Sequence, residues 1–155
     1  MISFEYLNKP DFSALARQIF DILADNMTII APTGNSREED FGLWSDAVSD
    51  GLQREERQII LIKDSETIVG FFQYYTNADT FMMEEIQFRP EYQGKGIGRK
   101  IVEMLEQDEF FLRAKRIEIP SSITASEFYR KLGYDYKNGV RIIDEEHHIP
   151  LEKFR

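Results

Sequence analysis

The stretch Phe88-Arg89-Pro90-Glu91-Tyr92-Gln93-Gly94-Lys95-Gly96-Ile97-Gly98 decides how this chain is read. Residues 80–88 before it read as a strand, which stops at Arg89-Pro90 because proline cannot donate to a sheet ladder. After it, Ile97, Ile101, Val102, Leu105 and Phe110 share one face of an amphipathic helix. The glycines therefore join a strand to a helix. The first amide groups of a helix have no intrahelical partner, and its dipole places about half a positive charge there, so such a loop suits phosphate or pyrophosphate. Lys95, Arg99 and Lys100 strengthen the preference, and Glu91 is the one acid among residues 89–100. A plain flexible turn is the bland alternative. Two other phosphate loops are excluded by inspection. The dinucleotide pattern G-x-G-x-x-G fails because Arg99 stands where its third glycine belongs, and the Walker pattern is absent.

Working outward, residues 2–7 alternate weakly as an opening strand, and Pro10-Asp11 introduces a helical pattern through Leu15, Ile19, Ile22 and Leu23. Residues 31–35 are a breaker cluster, after which 38–52 resume helical spacing with Phe41, Trp44, Val48 and Leu52. Residues 58–63 and 67–76, separated by a polar turn, predict a hairpin, and 77–79 turn into the strand 80–88. Beyond the glycine loop and its helix come a brief strand at 116–119, a short helix at 122–132 ended by Gly133, and two short strands around Asn138-Gly139. The order β-α-α-β-β-β-α-β-α-β-β predicts a mixed, mostly antiparallel α/β (α+β) sheet of about seven strands flanked by about four helices. No repeat or linker interrupts it, so residues 1–155 are expected to form one domain.

Composition narrows the function. The 155 residues are 42% hydrophobic and 13% aromatic, enough apolar material for a self-sufficient core. With no cysteine, the chain offers no disulfide and no thiolate, so a nucleophile must come from the substrate or a cofactor. A net charge of -9 opposes sequence-independent nucleic-acid binding and leaves cationic small molecules as partners. The chain has neither a signal-peptide pattern nor the run of about 18 apolar residues that a membrane span needs. A soluble cytoplasmic protein without a membrane partner is expected, and a homodimer is the assembly to test because dimers are the commonest oligomers.

Gln93-x-x-Gly96-x-Gly98, after a strand ending in Phe88-x-Pro90 and before an amphipathic helix, resembles the acyl-CoA signature Q/R-x-x-G-x-G/A of the GNAT N-acetyltransferase superfamily. A second block agrees. Ala125-Ser126-Glu127-Phe128-Tyr129-Arg130-Lys131-Leu132-Gly133-Tyr134 is similar to that family's A-x-x-x-Y-x-K-x-G-F/Y pattern, one strand further on. The element order matches the family over essentially the whole chain, whereas the specific motifs cover residues 84–134. One departure is visible: Ser122 stands where the family often has asparagine, and its hydroxyl reaches less far.

The resemblance implies an acetyl-CoA-dependent N-acetyltransferase acting on a primary amine of a small molecule or peptide, with acetyl-CoA as co-substrate and no metal. It implies that Phe88, Gln93, Gly94, Lys95, Gly96, Ile97, Gly98, Arg99 and Ser122 attend the cofactor, and that a backbone amide near Phe88 polarises the thioester carbonyl. It places a catalytic base at Glu84 and the phenol of Tyr129 facing the cofactor sulfur as the acid. Adjacent strand residues point to opposite faces, so only one of Glu84 and Glu85 easily faces the substrate, and a bulge makes Glu85 the reserve base. The same resemblance puts Phe41, Trp44 and Tyr74 around the acceptor, together with Phe72 and Met83, although their spacing alone reads as core. The loop 32–37 is a further candidate for acceptor selection. Asp144-Glu145-Glu146-His147-His148 contains metal-ligating types at spacing that fits no single site and reads as a solvated turn. Two rivals share the loop: a non-catalytic acyl-CoA sensor or partner domain, and a nucleotide-phosphate binder.

Overall fold

A computed structural model describes residues 1–27, 33–54 and 57–155. Its strands form one seven-stranded sheet of order β1-β2-β3-β4-β5-β7-β6. They are β1 (Ile2–Tyr6), β2 (Arg57–Asp64), β3 (Thr67–Asn77), β4 (Thr80–Phe88), β5 (Arg116–Ser122), β6 (Asp135–Tyr136) and β7 (His148–Phe154). Among the described residues the helices are α1 (Phe12–Met27), α2 (Arg37–Gln53), α3 (Ile97–Leu105), α4 (Glu109–Arg113) and α5 (Ser126–Lys131). The predicted mixed α/β sheet is present. Residues 28–32, which include Pro32 of the loop 32–37 and part of the breaker cluster 31–35, lie outside the described residues.

The chain forms two compact units, Met1–Gln73 with Glu85–Ile97 and Tyr74–Glu84 with Gly98–Arg155. In the first, the apolar stripe of α1 puts Phe12, Ala16, Ile19, Phe20 and Leu23 into a core shared with Val48 and Leu52 of α2 and Ile59, Leu61 and Phe71 of the sheet. Helix α2 starts where it does because Ser36 and Glu39 form a capping box: the Glu39 amide donates to Ser36 Oγ at 3.1 Å, and the Ser36 amide to Glu39 Oε1 at 3.4 Å. Strand β2 buries both faces through Ile59, Ile60, Leu61 and Ile62, as a strand inside a layered fold must.

In the second unit, β4 and β5 are parallel and pair at three positions, Thr80–Met82 with Arg116–Glu118. From Glu118 on, β5 continues to Ser122 along β7, with which it is antiparallel over its full length. The third predicted helix ends at Leu105 and a new one, α4, starts at Glu109. Asp108 causes the break: its backbone is extended, and its carboxylate accepts from the amides of Phe110 at 2.9 Å and Phe111 at 3.1 Å. That is an N-cap, so Phe110 belongs to α4 rather than to the stripe of α3.

The end of the chain also departs from expectation. Asn138 and Gly139 have φ of 57° and 75°, and the Val140 amide donates to Lys137 O at 3.3 Å, the hairpin turn their sequence predicts. The strand after it, β7, starts later than the turn suggests. Val140, Ile142 and Ile143 are exposed with no face to cover, and β7 begins only at His148. There β5 provides a ladder, while β6 pairs with β7 at Asp135↔Glu152 and Tyr136↔Leu151.

One glycine fixes the course of β4. A β-carbon at Gly70 of β3 would stand 2.6 Å from Phe88 Cβ, 2.7 Å from Gln87 O and 3.0 Å from Phe88 Cα. Two of these are backbone atoms, so no side-chain rotation relieves the clash. Gly70→Ala should therefore lower stability by about 1–3 kcal/mol, an overpacking cost. Urea unfolding should show it as a lower midpoint at unchanged slope; a midpoint equal to that of the parent would mean that β4 is free to move.

Candidate active site

At the end of β4 the Arg89 amide donates to Val69 O at 2.9 Å, after which Pro90 has no N–H to continue the ladder. The chain leaves as a turn of 3-10 helix, Pro90–Tyr92, whose bonds run from the Tyr92 amide to Arg89 O and from the Gln93 amide to Pro90 O. Gln93 is extended and exposed, and Gly94 and Gly96 follow with φ of 74° and 77°. A β-carbon at either glycine would meet nothing within 4 Å, so glycine is needed there for its backbone angles and leaves open space above the loop. Ile97, 2% exposed, anchors the start of α3, while Arg99 and Lys100 are exposed. The loop presents free helix amides, a dipole and three cations to solvent, and so fits a pyrophosphate.

Tyr92 fastens the loop from outside. Its hydroxyl donates to Asp64 Oδ2 at 2.7 Å, and Asp64 Oδ1 takes the Met1 ammonium at 2.9 Å. These two donors, the ammonium first, hold the Asp64 carboxyl below the usual range, and the same carboxylate raises the Tyr92 phenol. Lys95 Nζ lies 5.5 Å from the centroid of the Tyr92 ring.

On β4, Phe81 and Met83 are buried on one side, and Glu84 shares the other with Thr80 and Met82. Glu85 is tied into a chain that sequence reasoning missed. Gln87 Nε2 donates to Glu85 Oε2 at 3.0 Å, and Asn26 Nδ2 donates both to Gln87 Oε1 at 2.8 Å and to Phe88 O at 3.2 Å. Asn26 is a buried polar residue three and four positions beyond Leu23 and Ile22 on α1. A polar residue continuing an apolar helical stripe is the signal that would have found it.

The block around Tyr129 has a local explanation. Gly133, at φ 98°, ends α5 with two bonds: its amide donates to Arg130 O at 3.0 Å, and the Tyr134 amide to Tyr129 O at 3.2 Å. This is a Schellman motif, and its usual apolar contact is present as Tyr129 and Tyr134 rings 5.9 Å apart. Lys153 Nζ donates to Leu132 O at 2.9 Å and completes the cap. Tyr129 is 8% exposed, and burial pushes its phenol up to about 12. Burial, then the neighbouring Tyr129, raises Tyr134 as well. Phe128 lies beside Tyr129 and is the nearest neighbour that a β-carbon on Gly98 would meet, at 3.9 Å. Ser122 uses its hydroxyl to accept from the Ala125 amide at 3.2 Å, closing the turn into α5.

The remaining candidates sit in packed surroundings. Trp44 contacts Phe12 and Phe20, each at 5.6 Å, and Phe71 at 6.5 Å; Phe41 lies 5.4 Å from Phe20 and under the Arg17 guanidinium. Phe72 meets Phe4 at 6.1 Å. Tyr74 is buried against Phe81 and donates to Asp108 Oδ2 at 2.6 Å. Glu84, Tyr74, Gly98, Arg99, Ser122 and Tyr129 belong to one compact unit; Phe41, Trp44, Glu85, Phe88 and residues 93–97 belong to the other. Asp144 closes its segment as a turn, accepting from the amides of Glu146 and His148.

Known proteins share this family and fold. Residues 55–136 match the family model described as an acetyltransferase (GNAT) domain. Among solved structures, PaiA N-acetyltransferase from Thermoplasma acidophilum, in complex with coenzyme A, is 15% identical at a TM-score of 0.69, covering 100% of this chain and 99% of that one. Spermidine N-acetyltransferase from Vibrio cholerae, in complex with CoA and spermine, is 15% identical at a TM-score of 0.66, covering 99% and 95%. A dodecameric structure of the Vibrio cholerae enzyme is 16% identical at a TM-score of 0.68, covering 99% and 92%. Among curated proteins, none matches. The family match spans more than half of the chain: this protein belongs to the GNAT acetyltransferases. It is an acetyl-CoA-dependent N-acetyltransferase with the mixed sheet of that fold. Among the described residues no helix is long and apolar enough to cross a membrane.

The buried phenols have a measurable signature. A free tyrosine ionises near pH 10 in the unfolded chain, whereas Tyr129 holds its proton to about 12. Between those values the folded state binds more protons, so stability present below about pH 10 is lost as pH rises toward 12. Tyr129→Phe should flatten that loss, and ultraviolet titration should show Tyr129 ionising after the exposed tyrosines. Ionisation together with them would contradict its burial.

Proposed function

We propose that residues 1–155 act as one catalytic domain that transfers an acetyl group directly from acetyl-CoA to a primary amine of a small cationic molecule or peptide. The Tyr129 phenol carries this reading: a helix cap fixes it in place and burial keeps it protonated. Acetyl-CoA supplies the acetyl group as a thioester and leaves as a thiol. The loop 93–98 holds the pyrophosphate, with Phe88, Arg99 and Ser122 beside the cofactor. Glu84 accepts the amine's proton, through water because an ordinary carboxylate near pKa 4.3 is a poor match for an ammonium group. The neutral nitrogen bonds to the carbonyl carbon, a backbone amide near Phe88 steadies the oxyanion, the carbon–sulfur bond breaks, and Tyr129 gives its proton to the sulfur. Phe41, Trp44 and Tyr74 shape the acceptor side, with Glu85 as the reserve base.

The net charge of -9 favours a cationic acceptor. A polyamine belongs in the first panel because spermine is bound by the Vibrio cholerae neighbour. The protein works in the cytoplasm as a homodimer, the smallest closed assembly.

Acetyl-CoA incubated with a broad amine panel should release CoA thiol with at least one acceptor; thiol release with none would refute the enzyme and leave a binding domain. In the productive assay Tyr129→Phe should lower kcat about 100-fold or more while KM for acetyl-CoA holds. Glu84→Gln should lower the rate most at neutral pH and least near the amine's own pKa, where the nucleophile is already neutral. A loss that is uniform with pH would remove Glu84 as the base.

A further inference from the structure

We infer that Tyr92 is a positioning residue for the cofactor loop, and that Asp64, acting through it, sets affinity for acetyl-CoA without touching the reacting atoms. The inference rests on the reading that residues 93–98 hold the pyrophosphate. Between Tyr92 and Ile97 the chain is exposed, and a β-carbon on Gly94 or Gly96 would find no neighbour within 4 Å. Two anchors therefore bound the loop. One is the buried side chain of Ile97; the other is the bond from the Tyr92 hydroxyl to Asp64 Oδ2, 2.7 Å long and spanning 28 residues of sequence. Asp64 is the last residue of β2, held in the sheet by its pairing with Ile2 of the edge strand β1. A carboxylate on a strand end thus steadies the residue immediately before Gln93. The same ring lies beneath Lys95, the cation between the two glycines, so its position also biases where that charge points.

Two left-handed glycines give the loop freedom that must be lost when a ligand is bound. A fixed Tyr92 removes part of that freedom in advance. Its loss should appear in binding and leave chemistry unchanged, because neither Tyr92 nor Asp64 approaches Glu84 or Tyr129 in sequence or is needed for either proton transfer.

The test compares Tyr92→Phe, Asp64→Ala and the double variant with the parent protein, because asparagine at 64 would keep a side-chain acceptor for the Tyr92 hydroxyl. Each single variant should raise KM and calorimetric Kd for acetyl-CoA about threefold to tenfold, the net worth of one ordinary, partly exposed hydrogen bond, with kcat at saturation unchanged within about twofold. The double variant should be no worse than the Asp64 variant alone, since both substitutions remove the Tyr92 contact and only the one at Asp64 also removes the Met1 ion pair. Asp64→Glu, which keeps the acceptor, should recover part of the loss. A second readout needs no ligand: hydrogen exchange at the Tyr92 and Gln93 amides, which donate to Arg89 and Pro90, should quicken in both single variants. If Tyr92→Phe fails to fold, the Asp64→Ala result decides. Unchanged KM and Kd, or a fall in kcat alone, overturns the inference. The loop's own role is separated by Gly96→Asp, which brings a carboxylate to the pyrophosphate. If Gly96→Asp leaves Kd for acetyl-CoA unchanged, the site reading itself fails; if it weakens binding while Tyr92→Phe does not, only the positioning role fails.

Discussion

The close approach of two backbones at Gly70 is the constraint from which the glycine loop takes its place. Because position 70 has no side chain, β3 lets Gln87 and Phe88 of β4 come nearer than any β-carbon would allow. The last ladder bond, from the Arg89 amide to Val69 O, follows directly, and Pro90 ends the ladder one residue later. Asn26 adds a second hold by donating to the Phe88 carbonyl. The glycine loop therefore starts from a point fixed on three sides: by the neighbouring backbone, by a helix side chain and by proline. Everything flexible in it comes after that point. A phosphate cradle needs this arrangement, since amides that adjust around a ligand are useful only if their origin does not wander.

The Tyr129 block follows the same logic in a different way. Its spacing, tyrosine to glycine in four residues and a second aromatic directly after, is what a Schellman cap demands: Tyr129 supplies the carbonyl and the apolar partner, Gly133 the left-handed turn, and Tyr134 the amide and the other ring. The pattern is thus structural before it is chemical. The residue proposed to protonate the leaving group is also the residue whose carbonyl closes its own helix, so the backbone that carries the phenol is locked by the element that presents it. Lys153 reinforces the lock from β7.

How much of this was legible in the sequence depended on range. The ends of strand β4 are legible because the polar turn at 77–79 and Pro90 punctuate it locally, and the order of strands and helices follows from periodicity. The break between α3 and α4 was missed because Phe110 fits the stripe of α3 by spacing, and nothing in the pattern reveals that Asp108 turns its carboxylate onto the next two amides. The strand after Asn138-Gly139 is present but starts later than its turn chemistry suggests, since a strand also needs a partner and β7 meets β5 only from His148, opposite Ser122. Gly70, Asn26 and the Asp64–Tyr92 bond act across 18, 61 and 28 residues. No local rule reaches that far. For Phe41 and Trp44 the difficulty is one of chemistry, since an aromatic at helical spacing looks alike whether it lines a pocket or fills a core, and here both pack on Phe20.

Burial of Tyr129 sets a condition on the chemistry it can do. A phenol held near 12 is a weaker acid than one in water, and a thiolate with an ordinary pKa near 8.5 would draw its proton poorly. Desolvating the sulfur as well narrows that mismatch. A dry environment raises the proton affinity of a thiolate for the same reason that it raises that of a phenolate: both ions lose hydration. If water reached the sulfur, water would solvate the departing charge and the phenol would add little. The raised pKa therefore fits an acid that donates to charge developing in an apolar place, where one fixed O–H is worth more than it is in solvent. The cap that buries Tyr129 and the chemistry proposed for it depend on the same exclusion of water.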